Sequence, residues 1–540
     1  MSMTASLSTP RNYAGVAVAT LAFAALALLL DGPVWLVKLV PTQDGPVHLA
    51  QADLIARFGW GGVLQEPAAS FYQWNSRIEP NSAIYLLLAG LIRLTGNPLL
   101  ANSLFLSLYG LIWIAAAFVA SRTETERPLL PMLLLLPVAF GVFIHWGFYN
   151  FALGVPLFLF FASFWSKVRK RGDIFTFLAT ALFLAALYLT HITSVVAACL
   201  LLAADGIARA LRALEHDGPR AAGRRLLIDG AWATAAALPV LVLIAGFLLA
   251  YQDIPGEVPG EGGVTQILRR IAAATHLFTF TSWEVVALAP LLAAVLVAGA
   301  MALRHVRSGN PTWPVFFILV VLMSLLNLKT GSALLSERLA PYSWIAVVLF
   351  IASRQPHEAL TRILCLAAIA GLVGQTAIRT VAYKSWAPVL ESELEIGRQN
   401  PGKTFINADL IAQRESSLFA WRIRPTLHAA QTAALAARGA GLSSTLPSTR
   451  YFGYFPLQYV PSHDFLRATA DWETERDAAE LAKFRKANGG APQVLIVSSS
   501  DQSGSAVARN LGYADCKAKE SAGREIVACT APNQLSAIRD

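Results

Sequence analysis

Residues 13–30 read YAGVAVATLAFAALALLL, an apolar stretch with no charged side chain. Wound as a helix it is about 27 Å long, close to the thickness of a bilayer's hydrocarbon core. Similar runs recur near 98–120, 129–145, 149–166, 174–190, 193–208, 228–251, 284–303, 312–328, 341–353 and 361–382. Composition agrees: 55% of residues are hydrophobic and 14% charged, where a soluble chain carries about 25% charged residues. The chain therefore reads as a polytopic α-helical membrane protein of about eleven spans. The net charge of +9 does not point to nucleic acid, because the excess sits in short loops between apolar runs, as the positive-inside rule requires.

Sidedness follows from those loops. Arg11 precedes the first run, which lacks a small-residue cleavage site, so it is expected to be a retained anchor with a cytoplasmic N-terminus. The segment NSAIYLLLAGLIRLT (81–95) decides the rest. If it crossed, SKVRKRGD (166–173) would face outward with its four basic residues. If it lies along the membrane or dips into it, the basic loops 166–173 and 209–225 fall inside. That choice puts the C-terminus outside, together with 31–80, the turns at His145–Asn150 and Thr190–Thr193, and the loops 252–283 and 329–340.

The chain is expected to divide at Lys384 into a membrane domain (1–383, with first outer loop 31–80) and an extracytoplasmic α/β domain (384–540). The tail holds 18 basic and 16 acidic residues and only short apolar runs. Helical patterns at 385–398, 426–439 and 471–488 alternate with strand-like TFIN (404–407), QVLIVSS (493–499) and REIVACT (524–530). Cys516 and Cys529 flank an expected hairpin, either as a disulfide or as two buried thiols. Cys199 and Cys365 fall in apolar runs and read as inert core residues.

Chemistry concentrates in the first outer loop. In PTQDGPVHLAQADLIARFGW (41–60), Asp44 precedes Pro46 at a helix start. Val47, Ala50, Leu54 and Phe58 form one face of a helix expected to lie on the membrane interface. Asp44 and His48 are four residues apart and share a face. Capping alone would explain a short polar residue at position 44. The same loop, however, also carries Arg77 and Glu79, and four ionisable groups beside an apolar groove are an expensive arrangement. His145 and Asn150 in FIHWGFYNFALG, and His191 in YLTHITS, are expected to line the same outer cavity. Trp146 and Tyr149 read as interfacial belt residues. Arg269, Arg270, Lys329 and Arg338 supply outer cations for a phosphate, each with a simpler alternative as an interfacial anchor or a helix-end partner. Three outer histidines make a divalent metal conceivable, but their spacing matches no ligand set.

An anchor helix, a first outer loop with an acid soon after it, the segment PNSAIYLLL (80–88) and the late stretch ERLAPYSWIAVVLF (337–350) together resemble the GT-C class of membrane glycosyltransferases, of the mannosyltransferase and aminoarabinose-transferase kind. The resemblance implies sugar transfer from a polyprenyl-phosphate donor to a lipid, glycan or protein acceptor at the outer face of a bacterial inner membrane. It also implies that Asp44 is the catalytic base. Many members carry two adjacent acids where this chain has Gln43-Asp44, which bears on metal use and on Asp44 itself. A transporter or flippase would need broken helices in paired halves. Pro156 and Pro239 could break helices but have no counterpart in a matching half. A non-catalytic scaffold displaying the tail is the third reading. There is no Walker loop, HExxH, GxSxG or DxD motif, so an energised pump is not expected.

Overall fold

The structure is a computed structural model that describes residues 13–59, 68–75, 77–169, 173–250, 281–304, 310–326, 335–409, 423, 425–442, 457–459, 481–483, 485–486, 491–499, 504–521 and 524–531. Helices stand at every expected span: α1 (Tyr13–Asp31), α2 (Gly45–Leu54), α3 (Ala83–Thr95), α4 (Pro98–Glu124), α5 (Leu129–Leu135), α6 (Val142–His145), α7 (Tyr149–Val168), α8 (Ile174–Thr190), α9 (Ile192–Asp217), α10 (Pro219–Ala250), α11 (Ser282–Leu303), α12 (Thr312–Leu326), α13 (Leu335–Ser353) and α14 (Glu358–Gln399). Among the described residues, six helices are long and apolar enough to cross a membrane, and several shorter apolar ones accompany them. The protein is a polytopic helical membrane protein.

Local sequence sets the helix ends. Asn97 accepts the backbone N–H groups of Leu99 and Leu100 and so caps α4, with Pro98 in its first turn. Asp173 caps α8, and His191 caps α9. The run 129–145 is divided at Leu136–Val138, where Pro137 has no N–H to continue the ladder. Pro156 and Pro239, in contrast, sit inside unbroken helices and do not divide them. Leucines such as Leu182, Leu249 and Leu296 stay exposed on α8, α10 and α11, as a lipid-facing surface requires. The helix α3 has only 13 residues, about 20 Å, too short to cross upright.

Three expectations are corrected. The helix α2 does not lie on the membrane surface, because all ten of its residues are buried, its polar side chains included. The boundary at Lys384 is not a break in structure: α14 runs 42 residues through it, joining the last span to the expected helix 385–398. Tyr149 is fully buried rather than part of an interfacial belt.

Beyond α14 the tail forms a five-stranded sheet in the order β3-β2-β5-β7-β6, with β2 (Thr404–Asp409), β3 (Ala440–Leu442), β5 (Val494–Ser499), β6 (Ala514–Ser521) and β7 (Arg524–Thr530). The first three run parallel, while β7 pairs antiparallel with both β5 and β6. The two strands of the β6–β7 hairpin are joined by the disulfide Cys516–Cys529. One face of the sheet packs on α15 (Ala429–Ala437) and on the upper end of α14, around Trp386, Val389, Phe405, Ala433, Val494 and Ile526. Gly397 permits this approach, since a Cβ there would run into the Ala433 carbonyl. A last helix, α16 (Gly504–Asn510), lies against β5 and β7. The expected helix at 471–488 falls mostly outside the described residues.

First loop and tail are interlocked. Strand β1 (Tyr72–Trp74) pairs antiparallel with β4 (Leu457–Tyr459) of the tail. The Tyr72 hydroxyl donates to the Gly441 carbonyl at 2.7 Å. Arg57 donates to the carbonyls of Arg438 and Gly439, and Asp53 is ion-paired with both Arg57 and Arg438. The first loop and the tail therefore occupy the same face of the membrane. Inside the bundle, Arg379 of α14 donates to the Leu29 and Leu30 carbonyls at the C-terminal end of α1, where a cation complements the helix dipole.

Candidate active site

Asp44 occupies the N-cap position of α2 but makes no capping hydrogen bond, so capping does not account for it. Its backbone is stitched to the turn between α6 and α7: Gln43 N–H donates to the His145 carbonyl at 2.8 Å, and Asp44 N–H to that of Trp146 at 3.0 Å. Gly147 makes this close approach possible. Its φ is +82°, and a Cβ there would collide with the backbone of Asp44 and Gly45. The carboxylate is thus held from behind by main chain, while its side chain stays 20% exposed.

In front of it stands His428, from the tail, whose Nε2 lies 3.3 Å from Asp44 Oδ1. His428 is fully buried, and its position is set from β2. The Asn407 side chain donates to the Leu427 carbonyl at 3.0 Å and accepts from the Ala430 N–H at 3.4 Å. The His428 carbonyl then receives the N–H groups of Gln431 and Thr432 as α15 begins.

Beside the acid, His48 Nδ1 meets the Tyr85 hydroxyl at 2.6 Å, and the imidazole packs against the Tyr149 ring at 5.7 Å. Burial holds the His48 imidazole down to about 4, against the pull of the neighbouring Asp44 carboxylate. His48 is therefore neutral near pH 7. The Tyr149 hydroxyl lies 3.3 Å from Thr42 Oγ1. Below these, His145 is engaged at both nitrogens. Its Nδ1–H donates to the Gly141 carbonyl at 2.9 Å, which leaves Nε2 to accept the Tyr383 hydroxyl at 2.8 Å.

The remaining expected site residues separate. Asn150 is buried, and its Oδ1 accepts the Ile84 N–H at 3.1 Å, fixing the start of α3. His191 turns its Nδ1 to the Thr193 N–H at 3.1 Å as the cap of α9, with its ring 5.3 Å from that of Phe151. Arg338 lies over the Phe148 ring at 4.9 Å, one residue from the Gly147 that touches Asp44. Glu79 is buried at the start of α3, and its carbonyl accepts the Ser82 hydroxyl. Arg77 is exposed, with its backbone N–H on Asn75. The expected convergence of Asp44, His48, Arg77 and Glu79 therefore reduces to Asp44 and His48. Arg269, Arg270 and Lys329 lie outside the described residues. Among the described residues, no three His, Cys, Asp or Glu side chains gather as a metal site.

His428, Asp53 and Arg438 have no counterpart in the sequence reading. A cleft of about 530 Å³ on the same face runs between Lys38, Pro98, Leu100, Arg398 and Arg438. Each of its cations already meets a carboxylate: Lys38 meets Glu391, Arg398 meets Glu395, and Arg438 meets Asp53.

No known family and no curated protein matches the sequence. Among solved structures, the fold is similar to that of ArnT from Cupriavidus metallidurans, crystallised in the apo state. The match has a TM-score of 0.57 and 11% sequence identity, and covers 95% of this chain and 98% of that one. At that identity what the two share is the fold, that of a polytopic helical membrane protein.

Proposed function

We propose that the protein is a GT-C-type glycosyltransferase that moves a sugar from a polyprenyl-phosphate donor to an acceptor hydroxyl, with Asp44 as general base. The observation that carries this reading is the Asp44 carboxylate. It is part-exposed, free of any capping bond, fixed by main chain behind it and faced by His428. The GT-C architecture shared with ArnT supports the class.

The chemistry follows from the geometry. The acceptor oxygen bonds to the sugar's anomeric carbon as the bond from that carbon to the phosphate oxygen breaks. The acceptor proton passes to Asp44, and the phosphate leaves with the electron pair. His428 Nε2–H donates to the carboxylate and holds one oxygen so that the other can take the proton. Neutral His48 adds no competing positive charge beside the base. Arg338, on the adjoining Phe148 ring, is the candidate partner for the departing phosphate. The acceptor in this reading is a lipid, a glycan or a protein, received by the tail that closes over Asp44. In this reading the protein sits in a bacterial inner membrane, with the Asp44 face and tail outside and the basic loops and N-terminus in the cytoplasm.

The test uses purified full-length protein, a labelled polyprenyl-phosphate sugar and candidate acceptors. Asp44→Asn is expected to slow turnover by at least about a hundredfold while binding of the polyprenyl phosphate is retained. Turnover equal to the wild type's would remove Asp44 from the mechanism.

A further inference from the structure

At the opposite end of the bundle from Asp44, the C-terminal ends of α4, α7 and α9 and Asn310, two residues before α12, line a second pocket of about 440 Å³. It is lined by Arg122, Thr123, Glu124, Ser166, Lys167, Arg169, Arg212 and Asn310. The buried Asp205 carboxylate is ion-paired with Arg169 at 2.5 Å and Arg209 at 3.1 Å, and it accepts the Thr312 hydroxyl and the Trp165 indole, each at 3.2 Å. Arg169 is thereby neutralised, and Glu124 is held by Ser166 and Asn310. Arg122, Lys167 and Arg212 differ: all three are exposed, and none makes a hydrogen bond or ion pair among the described residues. Helix C-termini favour cations wherever they point. Here, however, three from separate helices line one concavity. Three cations against one carboxylate leave the pocket with a surplus of positive charge.

We infer that this pocket binds a phosphate-bearing anion, and that an anionic lipid headgroup is the source its position favours. It lies where three apolar helices reach the membrane surface, so a headgroup could enter it while the acyl chains stay in the bilayer. Basic pockets of this kind between helices on the basic face of a membrane protein recognise acidic lipids. The site is independent of the chemistry at Asp44.

The experiment is native mass spectrometry of the full-length protein titrated with phosphatidylglycerol, phosphatidylcholine or inorganic phosphate. Arg122→Gln, Lys167→Gln and Arg212→Gln are combined in one variant, and Arg220→Gln with Arg224→Gln serves as a control on exposed basic residues outside the pocket. A basic side chain near the surface contributes about fivefold in binding, so the triple variant is expected to lose about a hundredfold for phosphatidylglycerol. The control should match the wild type, and phosphatidylcholine should bind weakly to all three proteins. Strong binding of inorganic phosphate, lost in the triple variant, would keep the site and assign it to a soluble anion. Equal retention of both lipids by the wild type, or a triple variant that binds both anions undiminished, would overturn the inference.

Discussion

Replacing Asp53 with Asn should release the tail from the first loop without disturbing the membrane helices. Asp53 is 2% exposed and forms ion pairs with Arg57 at 2.8 Å and Arg438 at 2.9 Å. Burial raises its carboxyl group, and the two arginines oppose that. Removing the charge leaves two guanidinium groups side by side. Breaking a buried pair by deleting one partner costs about 3–5 kcal/mol. Arg438 is 40% exposed and Arg57 16%, so solvent screens part of this and about 2–3 kcal/mol remains. That corresponds to a roughly 30- to 150-fold rise in opening of the docked tail. Hydrogen exchange on the full-length protein reads it directly: amides of α15 should exchange faster by that factor, while those of α4 and α7 stay as they are. Adding Arg438→Gln removes the surplus cation and should restore part of the protection. Unchanged exchange in α15 of the Asp53→Asn protein would refute the view that this pair fastens the tail.

Three further outcomes are expected. Gly147→Ala should cost about 1–3 kcal/mol, because position 147 has φ +82° and a Cβ there meets the Asp44 backbone; thermal unfolding should show the loss and turnover should fall with it. His428→Asn should lower kcat more than it raises KM, since it leaves Asp44 present but unsupported; equal turnover would show that the contact is idle. His48 predicts an acid limit. Its folded value is about 4 against 6.5 unfolded, so between those values the unfolded chain holds the extra proton. Stability is then complete above pH 6.5 and declines by up to about 3 kcal/mol as pH falls to 4. His48→Gln should flatten that slope in a denaturation series across pH.

The spans were legible because each is an uninterrupted apolar run, and the strands 404–407, 493–499 and 524–530 because β-branched residues cluster there between turn signals. The position of α2 was not. Val47, Leu54 and Phe58 have the period of a surface-lying helix, and nothing local announces that a domain nearly 400 residues later covers its polar side. Asp53 and Arg57 did carry a signal: an acid and a base four residues apart can meet on one helical face. His428 carried none, because its role depends on Asn407 placing a turn against Asp44. Arg77 and Glu79 are two residues apart in sequence, which puts them on one loop without aiming their side chains at one place. The run 361–382 and the pattern 385–398 looked separate because the apolar character ends near Lys384, while the backbone helix does not.

That continuity has a mechanical consequence. An unbroken α14 of 42 residues is a strut about 63 Å long, rooted among the spans at one end and carrying the sheet on the other. Through it a tilt of the last span is passed to the sheet, with no loop in this strut to absorb it.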